Sequence, residues 1–148
     1  MPAQTFSIRL CNWSQAHADA RRIRELVFVR EQGVPPALEM DDQDAHCEHA
    51  LVYAGDGLAV ATGRLLPDGH IGRMAVLKEW RGKGVGALVL RALVEKARQR
   101  RQLSVRLNAQ AYAAGFYRRY GFEVSGPEFI EAGIPHVPMQ RDLSAPRG

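Results

Sequence analysis

Ile71-Gly72-Arg73-Met74-Ala75-Val76 is followed shortly by Arg81-Gly82-Lys83-Gly84-Val85-Gly86-Ala87 and then by a long amphipathic run. The order reads as a buried strand, a glycine-rich loop and a helix. Small residues at a helix start leave backbone N–H groups that nothing else satisfies. Those donors, with the positive end of the helix dipole, suit a phosphate. Arg81 and Lys83 add side-chain charge. The loop lacks the GK[ST] ending of a nucleotide P-loop, because Gly84-Val85-Gly86 follows Lys83. It also lacks the GxGxxG dinucleotide fingerprint, and its strand ends a meander instead of opening a wound sheet. A phosphorylated cofactor of another kind is the expectation. A glycine turn that only permits tight packing is the competing one.

The elements that must hold this loop follow from periodicity. Phe6, Ile8 and Leu10 alternate with polar residues as in a strand. From Ser14, a plausible cap, to about Arg30 the pattern is helical, with Ala16, Ala20, Ile23, Leu26, Val27 and Arg30 on one face. Gly33-Val34-Pro35-Pro36 ends it. A loop with a short helix is expected over 39–48. Three strands follow as a meander, around Ala50–Tyr53, Leu58–Leu66 and His70–Val76, with turns at Gly55-Asp56-Gly57 and Pro67-Asp68-Gly69. Gly86–Arg101 has the apolar stripe Leu88, Val89, Ala92, Leu93 and Ala97. Leu103, Val105 and Leu107 mark another strand. Ala111–Tyr120 reads as a short helix closed by Gly121. Strands near Phe122–Val124 and Val137–Leu143 complete the pattern. A helix between strands over 71–107 implies one parallel pair in a mixed sheet, hence an α/β or α+β class.

The 148 residues suit a single domain, 1–148, with a real core. No apolar run approaches a bilayer span, and Met1-Pro2-Ala3-Gln4-Thr5 lacks the features of a signal peptide. Cys11 and Cys47 form no disulfide framework and no zinc spacing, so a cytoplasmic location and no metal are expected. Charge is sorted along the chain. Arg81–Arg119 holds ten Lys or Arg against Glu95 alone, which suits a polyanion, while Glu39–Glu48 holds five acidic residues and no Lys or Arg. The acidic run reads equally as a solvated face or as a wall for a cationic substrate.

The order of strand, Arg81-x-x-Gly84-x-Gly86-Ala87, helix, strand ending at Asn108, and Phe116-Tyr117-x-x-x-Gly121-Phe122 resembles the GNAT family of acyl-CoA N-acyltransferases. Gly63-Arg64 and Arg73-Met74-Ala75-Val76 look like the two strands before its acyl-CoA motif. Val27-Phe28-Val29-x-Glu31-Gln32-Gly33-Val34-Pro35, with Glu39-x-Asp41-x-x-Asp44 and His49, is similar to the ElaA-type branch. The resemblance implies a mixed, mostly antiparallel sheet with helices on both faces and a splayed parallel strand pair that binds acyl-CoA. It implies acetyl-CoA as cosubstrate. The pyrophosphate would lie on Gly82, Lys83, Gly84, Val85, Gly86 and Ala87 beside Arg81, and the pantetheine arm along Met74, Ala75 and Val76 near Asn108.

Acyl transfer to an amine needs a neutral amine, a donor for the oxyanion and a proton for the leaving thiolate. The resemblance implies the backbone N–H near Met74 or Ala75 as oxyanion donor. It implies Tyr117 as general acid, in contact with the cofactor, since an ordinary phenol titrates near a departing thiol. Tyr112 and Tyr120 are expected to pack. The base stays open among Glu31, Glu39, Asp41, Asp44, His49 and His70. Glu31, just after a helix, and His49, at the start of a strand, are the foremost candidates.

The implied activity is transfer of an acetyl group to a primary amine by direct attack in a ternary complex. The acidic run favours a cationic small molecule or peptide. Two alternatives compete: a CoA-binding sensor without turnover, and a basic nucleic-acid module. The basic residues fall on an amphipathic helix and its flanks with no nucleic-acid-binding motif, which counts against the second. Ile130, Ile134 and Val137 offer an edge for a homodimer.

Overall fold

A computed structural model describes residues 5–144. The first four and last four residues, and with them most of the leader reading at Met1–Thr5 and both ends of the 1–148 domain, lie outside the described residues.

The chain opens with β1 (Phe6–Cys11) and α1 (Trp13–Arg24). The cap of α1 is Asn12, whose Oδ1 accepts from the Gln15 N–H at 3.1 Å; Ser14 instead donates to Asn12. The helix continues over Glu25–Glu31 as a wider π-type turn, in which the Gln32 N–H reaches the Val27 carbonyl. Extra residues per turn rotate the following side chains. This corrects the expected face: Ala16, Ala20, Ile23 and Val27 are buried, Leu26 and Arg30 are exposed, and Arg24 turns inward at 2% exposure. After Pro35 comes the single turn α2 (Pro36–Glu39).

The meander forms β2 (Glu48–Ala54), β3 (Ala59–Leu65) and β4 (Ile71–Val76). With β1 it makes an antiparallel sheet ordered β1-β2-β3-β4. Every residue of β3 is buried, because α1 packs on one face of this sheet and α3 (Val85–Gln99) on the other. Gly63 faces α3 so closely that a Cβ there would lie 2.7 Å from Val89 Cγ1. Its neighbours Thr62 and Arg64 therefore face α1.

β5 (Ser104–Gln110), α4 (Ala114–Arg119), β6 (Glu123–Val124), β7 (Phe129–Glu131) and β8 (Ile134–Asp142) follow. β8 pairs with β5, β6 and β7 in a second antiparallel sheet. The expected parallel strand pair is not formed. Among the described residues every strand ladder is antiparallel, and the sole parallel link is an isolated bridge between His70 and Arg106. Beyond it β4 and β5 do not pair. The sheet splits there into two, and the edge of β4 is left open.

Candidate functional site

The split becomes a cleft of about 900 Å³. The cause lies partly in β4 itself. Arg73 and Met74 together oppose the single Gly63, a β-bulge in which Arg73 takes φ +51°. The Leu77 N–H bonds the Val60 carbonyl at 2.9 Å. By strand alternation the polar groups of Ala75 also face β3, while the N–H groups of Met74 and Val76 point to the open edge.

The loop before α3 supplies the second wall. Gly82 and Gly84 have φ of +77° and +80°, which an L side chain adopts only with strain. The first intrahelical bond runs from the Leu88 N–H to the Gly84 carbonyl, so the N–H groups of Val85, Gly86 and Ala87 have no partner among the described residues. Open donors at a helix start, on a backbone bare of side chains, fit a pyrophosphate. Met74, Ala75, Val76, Arg81, Gly82, Gly84, Val85, Gly86, Ala87, Asn108 and Tyr117 all line the cleft. Lys83 does not: it is exposed, outside the lining.

Tyr117 sits half-buried on α4 between Phe116 and Phe122, with ring centroids 5.1 and 6.1 Å away. Its hydroxyl lies 3.8 Å from Met74 Sδ. Burial, with a smaller effect of Tyr112, pushes its phenol up to about 12. Tyr117 is therefore fully protonated near neutral pH. Tyr120 packs as expected, under the Arg91 guanidinium, whereas Tyr112 is 82% exposed at the cleft.

Both foremost base candidates lie outside the lining of the cleft. Glu31 forks onto Arg81 with oxygens 2.5 and 2.6 Å from its guanidinium nitrogens. The Arg81 hydrogen bond holds its carboxyl below the usual range, so it stays ionised and occupied, and it does not line the cleft. The same fork partly neutralises Arg81 as a phosphate ligand, and Arg81 Nε also donates to the Val76 carbonyl at 3.1 Å. His49 is 1% exposed, its ring tilted at 38° with its centroid 4.8 Å from that of Trp13, and its Nε2 is 2.9 Å from the Asp44 carbonyl. Burial lowers its pKa, and it too lies off the cleft.

The acidic run does not wall the cleft as free negative charge. Arg24 Nη1 and Arg64 Nη1 donate to Asp44 Oδ1 at 2.8 and 2.9 Å, and Arg24 Nε donates to Glu39. Arg64 Nη2 donates to Asp41 at 2.7 Å, and Arg73 reaches Asp41 and the Glu39 carbonyl at 3.3 and 3.2 Å. Three acids answer three arginines, and the bonds from Arg73 brace the bulge. The sequence signals for this network are faint: Arg24 lies one helical turn beyond Ala20, and Arg64 falls on a strand buried on both faces. His136 also lines the cleft unannounced, because the last strand is expected only from Val137.

Protonation acts against this network. Hydrogen bonds and charge from Arg64 hold Asp41 down at about 2, and Arg24 and Arg64 lower Asp44 despite its burial. Groups with depressed folded values stabilise above their unfolded values, and that contribution is lost as pH falls through the folded ones. His49, lowered from about 6.5, works in the same direction, because the unfolded chain binds its proton first. Stability in urea melts is expected to decline below pH 6.5 and again between about 4 and 2. A flat profile from pH 7 to 4 would rule out the His49 contribution.

A model of the acetyltransferase (GNAT) domain matches residues 26–143. YyaT of Bacillus subtilis is 39% identical over 132 residues, covering 85% of this chain and 88% of the relative. Among solved structures, a Lactobacillus plantarum protein assigned as an N-acetyltransferase superposes with TM-score 0.86 at 31% identity, covering 94% of this chain and 99% of that one. Escherichia coli ElaA superposes with TM-score 0.81 at 28% identity, covering 93% and 99%. A GNAT-family acetyltransferase of Elizabethkingia anophelis, solved with acetyl-CoA bound, shares the fold at 14% identity and TM-score 0.68, covering 93% and 98%. The chain belongs to the GNAT acetyltransferase family. It is an acetyltransferase with acetyl-CoA as its cosubstrate. No one branch of the family, ElaA included, stands apart in these matches. Among the described residues no helix is long and apolar enough to cross a membrane.

Proposed function

We propose that this protein moves the acetyl group of acetyl-CoA to a primary amine by direct attack, with both substrates in the cleft between β4 and β5. The observation that carries this reading is the unpaired edge of β4 beside the open first turn of α3. The N–H groups of Val85, Gly86 and Ala87 would hold the pyrophosphate, helped by the Gly82 and Gly84 backbone. Met74 and Val76 would hold the pantetheine arm by main-chain bonds, with Asn108 across the cleft. Acetyl-CoA supplies an activated thioester. The Met74 N–H would donate to its carbonyl oxygen as negative charge develops there. Tyr117 would give its proton to the departing sulfur.

Direct transfer is supported by the cysteines. Cys11 and Cys47 are buried off the cleft, and burial raises both thiols, Cys47 to about 11. Neither resembles an activated nucleophile. With Glu39, Asp41 and Asp44 engaged by arginines, no preference for a cationic acceptor follows from them. The Val27–Pro35 motif supports a place near the ElaA-type branch.

Calorimetric titration with acetyl-CoA at two salt concentrations tests the reading. Saturable one-to-one binding, followed by amine-stimulated CoA release, is the expected result. Binding without release by any amine would favour the sensor alternative. A folded protein that binds no acetyl-CoA would overturn both.

A further inference from the structure

With Glu31 and His49 away from the cleft, the proton of the acceptor amine has no assigned destination. The remaining candidates lining the cleft differ sharply. Glu39 is paired with Arg24. His70 is 41% exposed, and its Nδ1 is engaged by Asp68 and Arg106 at 3.1 and 3.2 Å. Glu131 is 58% exposed. His136, on β8, is 8% exposed and lines the cleft. Its Nδ1 lies 2.7 Å from the Ile134 carbonyl oxygen. A carbonyl only accepts, so Nδ1 carries the hydrogen and the neutral ring keeps its lone pair on Nε2. Phe129 stacks on the ring at 5.8 Å and 23°. Gln110 of β5 and Phe129 of β7 are its register partners. Among the described residues, Glu131 is the charged group within ion-pair reach, its Oε2 3.8 Å from Nε2.

We propose that His136 is the general base of this enzyme, a role that rests on the acetyltransferase reading. Nε2 takes one proton from the ammonium form of the acceptor, leaving a neutral amine and an imidazolium. The amine lone pair forms the N–C bond to the acetyl carbonyl carbon. The C–S bond breaks, its electron pair stays on sulfur, and Tyr117 protonates that sulfur. The surplus proton on the new amide nitrogen returns to the Tyr117 phenolate, and His136 gives its proton to solvent. One proton is released per turnover.

The test compares wild type with His136→Asn and His136→Ala. The amine is the one that wild type turns over fastest in a panel of alkylamines, amino sugars and short peptides. At neutral pH kcat/KM for that amine is expected to fall at least about 100-fold, with acetyl-CoA affinity unchanged. The acidic limb of the kcat/KM profile should vanish, and free imidazole should restore part of the rate of His136→Ala. A loss below about threefold, or a retained acidic limb, would overturn the assignment. Lost acetyl-CoA affinity without imidazole rescue would mark a structural role and overturn it too. If neither variant folds, long-range ¹H–¹⁵N spectra of wild type decide, since a hydrogen on Nε2 of the neutral ring is incompatible with the proposal. Wild type that binds acetyl-CoA but acetylates no amine would defeat the acetyltransferase reading and this proposal with it. That outcome appears in wild type alone, so the two failures are distinguishable.

Discussion

Replacing Tyr117 with Phe is expected to lower kcat by about 10²–10⁴-fold, the range for a lost general acid. Acetyl-CoA affinity should stay near that of wild type. The ring contacts with Phe116 and Phe122 survive the substitution, and only the hydroxyl near Met74 Sδ is removed. With the phenol at about 12, Tyr117 remains a proton donor across the neutral range, so the loss should not vary with pH there. Steady-state kinetics with acetyl-CoA and the best panel amine, beside calorimetry, separate the two effects. A weaker acetyl-CoA complex with unchanged kcat would assign Tyr117 to binding instead.

Asp44→Ala is expected to destabilise the fold by about 1–3 kcal/mol, because it removes a carboxylate that two buried arginines share. Arg24 and Arg64 are 2% and 6% exposed in their side chains and share Asp44 Oδ1. The Asp44 carbonyl that receives His49 Nε2 is backbone and would remain. Arg24 would keep Glu39 and Arg64 would keep Asp41, which limits the loss. Urea denaturation at neutral pH measures it, with Asp44→Asn as the milder control that retains an acceptor. A change under about 1 kcal/mol would mean the arginines find water or repair with the other acids. The stake extends beyond stability. The network holds the chain around Glu39–Asp44 against Arg73, and Arg73 occupies the bulge that opens β4. A folded Asp44→Asn protein with weakened acetyl-CoA binding would reveal that coupling.

Much of the frame was legible in the residues. The strands, α3 and the glycine loop announce themselves by alternation, helical spacing and the need for positive φ at Gly82 and Gly84. The order of motifs along the chain points to Tyr117 and Asn108, and both line the cleft. Most of the expected cofactor wall assembles at the cleft, with Lys83 outside it. The expected parallel pair failed for a geometric reason. A helix between two strands sets their direction, but not whether their edges stay within hydrogen-bonding distance, and here contact ends at His70 and Arg106.

Neighbours within a few residues settle most of the strands and helices, and where backbone donors are left open. How charges far apart in the chain are matched depends on tertiary packing. Arg81 and Glu31 lie 50 positions apart, and Arg64 and Asp41 lie 23 apart. A carboxylate on a loop and an imidazole at a strand start look equally available in a linear chain. Which becomes an ion-pair partner, which is sealed in the core and which, like His136, reaches the cleft depends on which faces meet. Hydrophobic burial brings those faces together without regard to the charges carried along, and the low-dielectric interior then requires that each buried charge find a partner.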